Sequence, residues 1–319
     1  MNAADLAQQP GVLVGIDGSE ASLAAFAHGA WEADQRGLPL DLVHCHEAPG
    51  VFSALGLRAD PDDGPAAAAA ERLADLSEQA VAAYPNLVVR TTVVAGHPGG
   101  SLVRASRESA LVVVGTRGLG GFAGLLLGSV SSQLAAHSAA PLIVIRPVDG
   151  VPQVGTPPPD RHVLVGVDGV PDSEAAIEFA FAEAQARRVP VVVLYAWWML
   201  PVAHLQSGPP AEPDLRGAEE EARRMLAEAT AGARASYPDV DARLVPAHAL
   251  NPVQALIEAS EDAGLLVVSR HGGNVLTRRL FSSVGDQAVR HAACPVAVVP
   301  ELSTRDTREL ETARAGSAR

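Results

Sequence analysis

Residues 112–130 read VVVGTRGLGGFAGLLLGSV, and this stretch decides the fold predicted for the chain. An apolar run typical of a buried strand leads into a glycine-rich loop, and Gly-Ser-Val at 128–130 then opens a helix. A strand that runs into the amino end of a helix in this way is typical of α/β proteins. Because the first amides of a helix have no partner inside it, such a turn can hold an anion. The stretch therefore predicts both a parallel sheet and an anion-binding site.

The composition indicates a folded chain that needs no disulfides. Hydrophobic residues make up 48% of the 319 positions, charged residues 19%, and only two cysteines occur, Cys45 and Cys294. Few cysteines in a chain of this length favour a reducing, cytoplasmic setting. The net charge of −13 disfavours nonspecific binding to nucleic acid or anionic membranes. The first eleven residues lack the apolar core of a signal peptide, and prolines interrupt the uncharged run at 189–211, so we expect a soluble protein without a membrane span.

Strand and helix patterns alternate along the first half of the chain. The predicted strands are 12–17, 38–45, 87–94, 111–114 and 141–145. The predicted helices are 20–35, 66–83, 98–108 and 129–137. This alternation predicts an α/β fold with a doubly wound parallel sheet of five strands and helices on both faces.

The same pattern then begins again. The segment VLVGVDG at 163–169 repeats VLVGIDG at 12–18, and HAACP at 291–295 is similar to HSAAP at 137–141. Such self-similarity indicates a tandem duplication. We therefore predict two doubly wound domains at 10–147 and 161–300, joined by a proline-rich linker at 148–160 and followed by a polar tail at 301–319.

Each part of the glycine loop has a role that a polyphosphate would require. Gly115 and Gly118 remove side chains where backbone amides must approach an oxyanion, and glycine also tolerates dihedral angles that other residues avoid. Gly128 would do the same at the helix entrance. Ser129 can donate its hydroxyl beside the first amides of the helix, and Arg117 adds a charge-assisted donor.

The spacing Gly-x2-Gly-x9-Gly-Ser resembles the ATP-binding signature of the universal stress protein family. Further matches are VGIDGS at 14–19 and Gly-His-Pro at 96–98, and the resemblance covers nearly all of residues 10–300. It implies the fold shared with nucleotide α-hydrolases, bound ATP with Mg²⁺, and a regulatory role in stress with at most slow ATP hydrolysis. The nucleotide contacts that it implies in the first domain are Gly15, Asp17, Cys45, Gly115, Thr116, Arg117, Gly118, Gly128, Ser129, Val130 and Ser131.

The resemblance also implies that domains pair through their fifth strands. The strands concerned would be 142–145 and 296–299, paired either in a homodimer or within one chain as a pseudo-dimer.

The second copy departs from the signature at the loop. Ser269 stands where the first copy has Gly115, and Ser282 stands for Gly128, whereas Gly and Ser are retained at 272 and 283. An added Cβ where the backbone must approach a ligand would weaken the site, while the cations Arg270, His271, Arg278 and Arg279 could compensate. Whether the second site binds ATP is left open. Its candidate contacts are Gly166, Asp168, Arg270, Gly272, Ser283 and Val284.

Simpler interpretations compete for several of these residues. Asp17 could be a turn or capping aspartate rather than a ligand contact. His44 and His46 share one side of a strand and could bind a metal, but packing at the strand end is favoured because no matching ligand cluster is visible. The pairs at 187–188 and 223–224 are arginines of helices that we expect to face solvent.

Three classes of function fit the sequence. The first is a cytoplasmic ATP-binding regulator, and the second is an interaction scaffold that needs no nucleotide. The third is an enzyme that adenylates a substrate, which would need a catalytic lysine or an acceptor pocket that the loop lacks. The sequence holds neither the Gly-x4-Gly-Lys-Ser/Thr motif of P-loop NTPases nor a Gly-x-Ser-x-Gly nucleophile elbow. We therefore predict a binding protein and no enzymatic activity.

Overall fold

The computed structural model describes residues 9–46, 64–118, 127–147, 150–168, 173–197, 215–270 and 284–301. The first copy of the repeat holds β1 (Val12–Gly15), α1 (Glu20–Arg36), β2 (Leu40–His46), α2 (Gly64–Ala83), β3 (Val89–Ala95), α3 (Pro98–Ala105), β4 (Leu111–Gly115), α4 (Ser129–His137) and β5 (Leu142–Ile145). The second copy holds β6 (Val163–Val167), α5 (Glu174–Arg187), β7 (Val191–Trp197), α6 (Leu215–Ser236), β8 (Ala242–His248), α7 (Pro252–Ala259), β9 (Leu265–Ser269), α8 (Val284–His291) and β10 (Val296–Val299).

The ten described strands form one continuous sheet. Their order is β3-β2-β1-β4-β5-β10-β9-β6-β7-β8, so each copy contributes five parallel strands in the order 3-2-1-4-5. The two halves meet at β5 and β10, which pair antiparallel with Ile143 opposite Ala297. The predicted α/β class with parallel, doubly wound halves is confirmed. Of the two pairings that the resemblance implied, the structure has the one within the chain.

Both faces of the sheet are covered by helices because its strands carry apolar side chains on both sides. In β4, Val113 belongs to one buried cluster, which includes Leu73 of α2 and Phe181 of α5. Val112 and Val114 belong to the opposite cluster, together with Leu134 of α4. Successive side chains of the strand point to opposite faces and thus contribute to two hydrophobic layers, one on each face of the sheet.

Local signals in the sequence set the helix ends near the loop. Ser19 caps α1 by accepting a hydrogen bond from the Ser22 amide at 3.2 Å. Gly37 ends the helix with a left-handed φ of 62°, as its position in the sequence predicts. Helix α4 begins at Ser129 as predicted. Within the described ranges, no helix is both long and apolar enough to cross a membrane.

The third helix is shorter than the predicted range of 98–108. Helix α3 ends at Ala105, and Ser106–Glu108 form a turn of 3-10 helix. The Ser106 hydroxyl donates to the Val103 carbonyl at 2.8 Å and accepts a hydrogen bond from the Ala139 amide at 2.9 Å. Because this hydroxyl bridges two segments, the chain tightens there instead of continuing the α-helix.

A buried ion cluster joins α1 to α5 across the two copies. Glu32 accepts hydrogen bonds from Arg36 at 2.7 Å, Arg187 at 2.9 Å and His28 at 3.1 Å. Glu183 pairs with Arg187 at 3.0 Å and also with Arg36. Burial alone would raise the pKa of Glu32, but the His28 hydrogen bond and the two arginine charges outweigh it and lower that pKa to about 2. The cluster is a fixed electrostatic contact between the copies.

The expectation that Arg187 faces solvent is wrong. Its side chain is only 3% exposed and lies 5.2 Å from the centre of the Trp31 ring. The repeat explains the burial, because Glu32 and Arg36 are each followed 151 residues later by Glu183 and Arg187. By contrast Arg223 and Arg224 are exposed, as predicted.

Candidate functional site

The first copy has a pocket where the carboxyl ends of β1 and β4 meet the amino ends of α1 and α4. Its volume is about 480 Å³, within the range of small-molecule sites. Its lining includes Gly15, Asp17, Cys45, Gly115, Arg117, Gly118, Gly128, Ser129, Val130 and Ser131. The structure thus brings together all but one of the residues predicted for the first site. The exception, Thr116, is buried and does not line the pocket.

Asp17 has a structural role that the sequence left as an alternative. Its Oδ1 accepts hydrogen bonds from the Ser19 amide at 2.9 Å and the Ser19 hydroxyl at 2.6 Å, which closes a turn before α1. Its Oδ2 lies against Gly118, where a Cβ would overlap it. The carboxylate therefore organises both the β1 turn and the start of the glycine loop.

The glycines are required by packing, not by unusual dihedral angles. A Cβ at Gly115 would lie 2.6 Å from the Ala21 carbonyl carbon, so this glycine lets α1 pack closely on β4. Gly128 has an ordinary extended φ of −78°. The positive-φ glycines of the described chain are Gly18, Gly37, Gly96, Gly150 and Gly155. At the described positions Gly115, Gly118 and Gly128 the tolerance of glycine for unusual dihedral angles is therefore not used, since none of them has a positive φ.

The amino end of α4 is open toward the pocket. Gly128 is its N-cap and has no side chain, so within the described residues no side-chain cap occupies the first amides of the helix. The Thr116 carbonyl accepts hydrogen bonds from the Gly128 amide at 2.7 Å and the Ser131 hydroxyl at 3.1 Å. These bonds hold the strand end against the helix start. The Ser131 hydroxyl is therefore engaged within the protein, while Arg117 is exposed at the pocket.

The pocket also has an apolar part. Val43, Cys45 and Leu102 line it. Burial raises the pKa of the Cys45 thiol, and the Arg104 charge only partly opposes this. His44 Nδ1 lies 2.7 Å from the Ile16 carbonyl oxygen, which favours strand-end packing over metal binding. No group of three metal-ligating side chains occurs in the part of the chain that the structure describes.

The second copy has an equivalent pocket of about 280 Å³. Gly166, Asp168 and Val284 line it, as predicted, and Ser269 lies where the first copy has Gly115. The Ser173 hydroxyl donates to Asp168 Oδ1 at 3.0 Å. Two aromatic residues, Tyr195 and Trp197, also line this pocket, and the Trp197 ring lies 4.6 Å from that of His248. The second pocket is thus smaller and more aromatic.

Arg270 is a correction to the predicted second site. Its guanidinium donates from Nη1 to the Ser138 carbonyl at the end of α4 in the first copy, and the residue does not line the second pocket. A cation at a helix carboxyl end is favoured by the helix dipole, which accounts for this position. The other second-site candidates, Gly272 and Ser283, lie outside the described residues, as do His271, Arg278, Arg279 and Ser282.

Comparison with known proteins identifies the family of this fold. The model of the universal stress protein family matches the chain twice, at residues 11–146 and 160–300. The chain belongs to the universal stress protein family. Among its relatives, universal stress protein Rv2005c of Mycobacterium tuberculosis is 36% identical over 299 residues, which cover 91% of this chain and 97% of that protein. Universal stress protein Rv2623 of the same organism is 35% identical over 306 residues, covering 92% and 97%.

A solved structure shows the same fold across both copies. A universal stress protein from Archaeoglobus fulgidus superposes with a TM-score of 0.64 and 18% identity, covering 92% of this chain and 97% of that one. At this identity the likeness concerns the fold alone.

Several pocket residues were not predicted from the sequence. Ser22 accepts hydrogen bonds from the amides of Gly18 at 3.1 Å and Asp17 at 3.4 Å, and so fixes the turn after β1. Leu102 and its counterpart Leu256 each line their own pocket. In each copy this leucine lies four residues after the proline that opens its helix. This equivalence between the copies could have identified both leucines from the sequence.

Proposed function

We propose that this universal stress protein binds ATP in the first pocket and that its regulatory state in the stress response depends on the bound nucleotide. The observation that carries the proposal is the combination of an uncapped amino end of α4 with the exposed cation Arg117 in one pocket. Open helix amides and a nearby guanidinium suit a phosphate group. The Ser129 hydroxyl would add one more donor.

The rest of the pocket suits a nucleoside. Val43, Cys45 and Leu102 give an apolar wall for a base. Asp17 also lines the pocket and is the candidate contact for the sugar. Mg²⁺ would accompany the phosphates, as it does in most ATP sites.

A regulatory role fits this pocket better than catalysis. Among its described lining residues Asp17 is the single carboxylate, and its Oδ1 already accepts two hydrogen bonds from Ser19. A general base for water needs a free acceptor near the phosphate. We therefore propose at most slow ATP hydrolysis.

Assembly and setting are further parts of the proposal. Because β5 and β10 already pair with each other, we propose that a single chain acts as the pseudo-dimer and does not need a second copy at this edge. We also propose a cytoplasmic protein with an as yet unidentified regulatory partner, and no binding to nucleic acid or membranes, given the net charge of −13.

The test is calorimetric titration of ATP with Mg²⁺ into the wild type and a Gly118→Ala, Ser129→Ala double variant. The first substitution places a methyl group on the Asp17 carboxylate, and the second removes a phosphate donor. We expect saturable binding by the wild type and at least a tenfold loss, roughly, in the double variant. The matched control, Gly64→Ala with Ser109→Ala, changes the same residue types away from the pocket and should bind normally. Equal affinity in all three proteins would refute this site.

A further inference from the structure

Two arginines, Arg117 and Arg146, follow the carboxyl ends of the neighbouring strands β4 and β5. In the β4–β5 pair, Gly115 is in register with Ile145, and the Thr116 amide donates to the Ile145 carbonyl at 2.9 Å. Arg117 and Arg146 therefore follow two neighbouring strands at the same edge. Arg117 lines the pocket, whereas Arg146 is half-buried, is not among the lining residues, and lies close enough for the Arg117 charge to act on its pKa.

Arg146 is bound to a helix of the other copy. Its Nη2 donates to the Arg290 carbonyl at 2.7 Å and to the Val289 carbonyl at 3.3 Å, in the last turn of α8. Burial lowers the pKa of Arg146, and the charge of Arg117 lowers it further. Among the described residues neither guanidinium has a carboxylate partner. Two neighbouring cations, of which Arg146 donates only to carbonyl groups among the described residues, leave capacity for an anion.

Helix α8 connects this arginine to the second pocket. Because the two halves of the sheet run antiparallel across β5 and β10, the carboxyl end of α8 lies at the edge that carries the first pocket. Its first residue, Val284, lines the second pocket. The second copy has the reciprocal contact, since Arg270, directly after β9, donates to the Ser138 carbonyl at the end of α4. In each copy, an arginine that directly follows a strand thus binds the carboxyl end of a helix of the other copy.

We propose that Arg146 is a positioning residue shared between α8 and the terminal phosphate of a nucleotide in the first pocket. This inference rests on the proposed function. If Arg146 contacts the terminal phosphate, the first pocket distinguishes nucleotides by the number of their phosphate groups. An adenosine monophosphate would reach the α4 amides and leave Arg146 on α8. A triphosphate extends farther and draws the guanidinium toward it, which releases the last turn of α8. The second pocket would then sense which nucleotide occupies the first.

The first test compares the affinities of ATP and AMP for the full chain in the wild type, Arg146→Met and Arg223→Met. Arg223 is an exposed arginine of α6, so its loss makes the same change in net charge away from the pocket. We expect the ratio of ATP to AMP affinity to fall about tenfold in Arg146→Met and to stay unchanged in Arg223→Met. If the ratio of ATP to AMP affinity is unchanged in Arg146→Met, including the case in which both affinities fall by the same factor, the proposal is overturned. If the wild type binds neither nucleotide, the proposed function itself fails.

A second measurement uses only the wild type, so it still tests the proposal if Arg146→Met does not fold. Hydrogen exchange of the wild type is followed at residues 289–294 with saturating ATP and with saturating AMP. We expect faster exchange with ATP, because α8 loses the arginine that holds its last carbonyls. Equal exchange with the two nucleotides would overturn the shared role of Arg146, while leaving ATP binding itself intact.

Discussion

Replacing Glu32 by Gln should destabilise the whole chain, because this carboxylate lies at the centre of the buried cluster between α1 and α5. Its side chain is fully buried and accepts hydrogen bonds from Arg36, Arg187 and His28. The cluster lowers the pKa of Glu32 from an ordinary value of 4.5 to about 2. A difference of this size corresponds to about 3 kcal/mol of folding free energy. Removing one partner of a buried pair costs a similar amount, about 3–5 kcal/mol.

The sign of the pH dependence follows from the direction of the shift. Because the pKa of Glu32 is lower in the folded chain, its contribution is complete above about pH 4.5 and is lost as the pH falls toward 2. The wild type and Glu32→Gln should therefore differ by about 3 kcal/mol in the free energy of unfolding at pH 7. That difference should shrink steadily as the pH falls from about 5 to about 2.

Urea denaturation followed by circular dichroism measures both quantities. The matched control is Glu219→Gln, which breaks an i,i+4 pair with Arg223 whose two side chains are 46% and 64% exposed. Such exposed pairs contribute about 0–1 kcal/mol, so this variant should stay close to the wild type at every pH. A Glu32→Gln variant as stable as Glu219→Gln, or a difference that does not change with pH, would refute the account of the cluster.

Two further predictions concern the first pocket and the thiols. Gly115→Ala should lower the free energy of unfolding by roughly 1–3 kcal/mol in thermal or urea denaturation, because its Cβ would lie 2.6 Å from the backbone of Ala21. Gly64→Ala, whose Cβ has open space, is its control, and equal stabilities would contradict the packing role. Burial raises the pKa of the Cys294 thiol to about 12, so iodoacetamide at pH 8 should leave it unmodified in the folded chain. The half-buried Cys45 should react slowly with iodoacetamide, and more slowly still when ATP is present. Alkylation of Cys294 before Cys45 would contradict this prediction.

Signals that act over a few residues could be predicted from the sequence. The start of α4 at Ser129 and the end of α1 before Gly37 follow from local turn chemistry, and the structure has both where predicted. The α/β class follows from the alternation of strands and helices. Most residues of the first pocket could be named because the glycine spacing resembles the signature of the universal stress protein family, which implied them.

The misplaced residues are those whose partners belong to the other copy. Arg187 and Arg270 are arginines near element ends, and nothing nearby in the sequence shows that Glu32 or the Ser138 carbonyl receives them. The packing requirement at Gly115 could not be predicted from nearby sequence, since the helix that it accommodates lies about ninety residues earlier. For Arg187 a signal existed, because the Glu-x3-Arg pattern recurs in both copies and the second copy repeats the first at a fixed distance.

The central claim is that the open end of α4 and the apolar wall of the first pocket together hold ATP. Calorimetric titration of ATP with Mg²⁺ into the purified wild-type chain tests it most directly, because it reports affinity and stoichiometry together. The account predicts saturable binding with at least one nucleotide per chain. No heat of binding and no retained nucleotide at millimolar ATP would contradict it, and would leave an interaction scaffold as the better description of this protein.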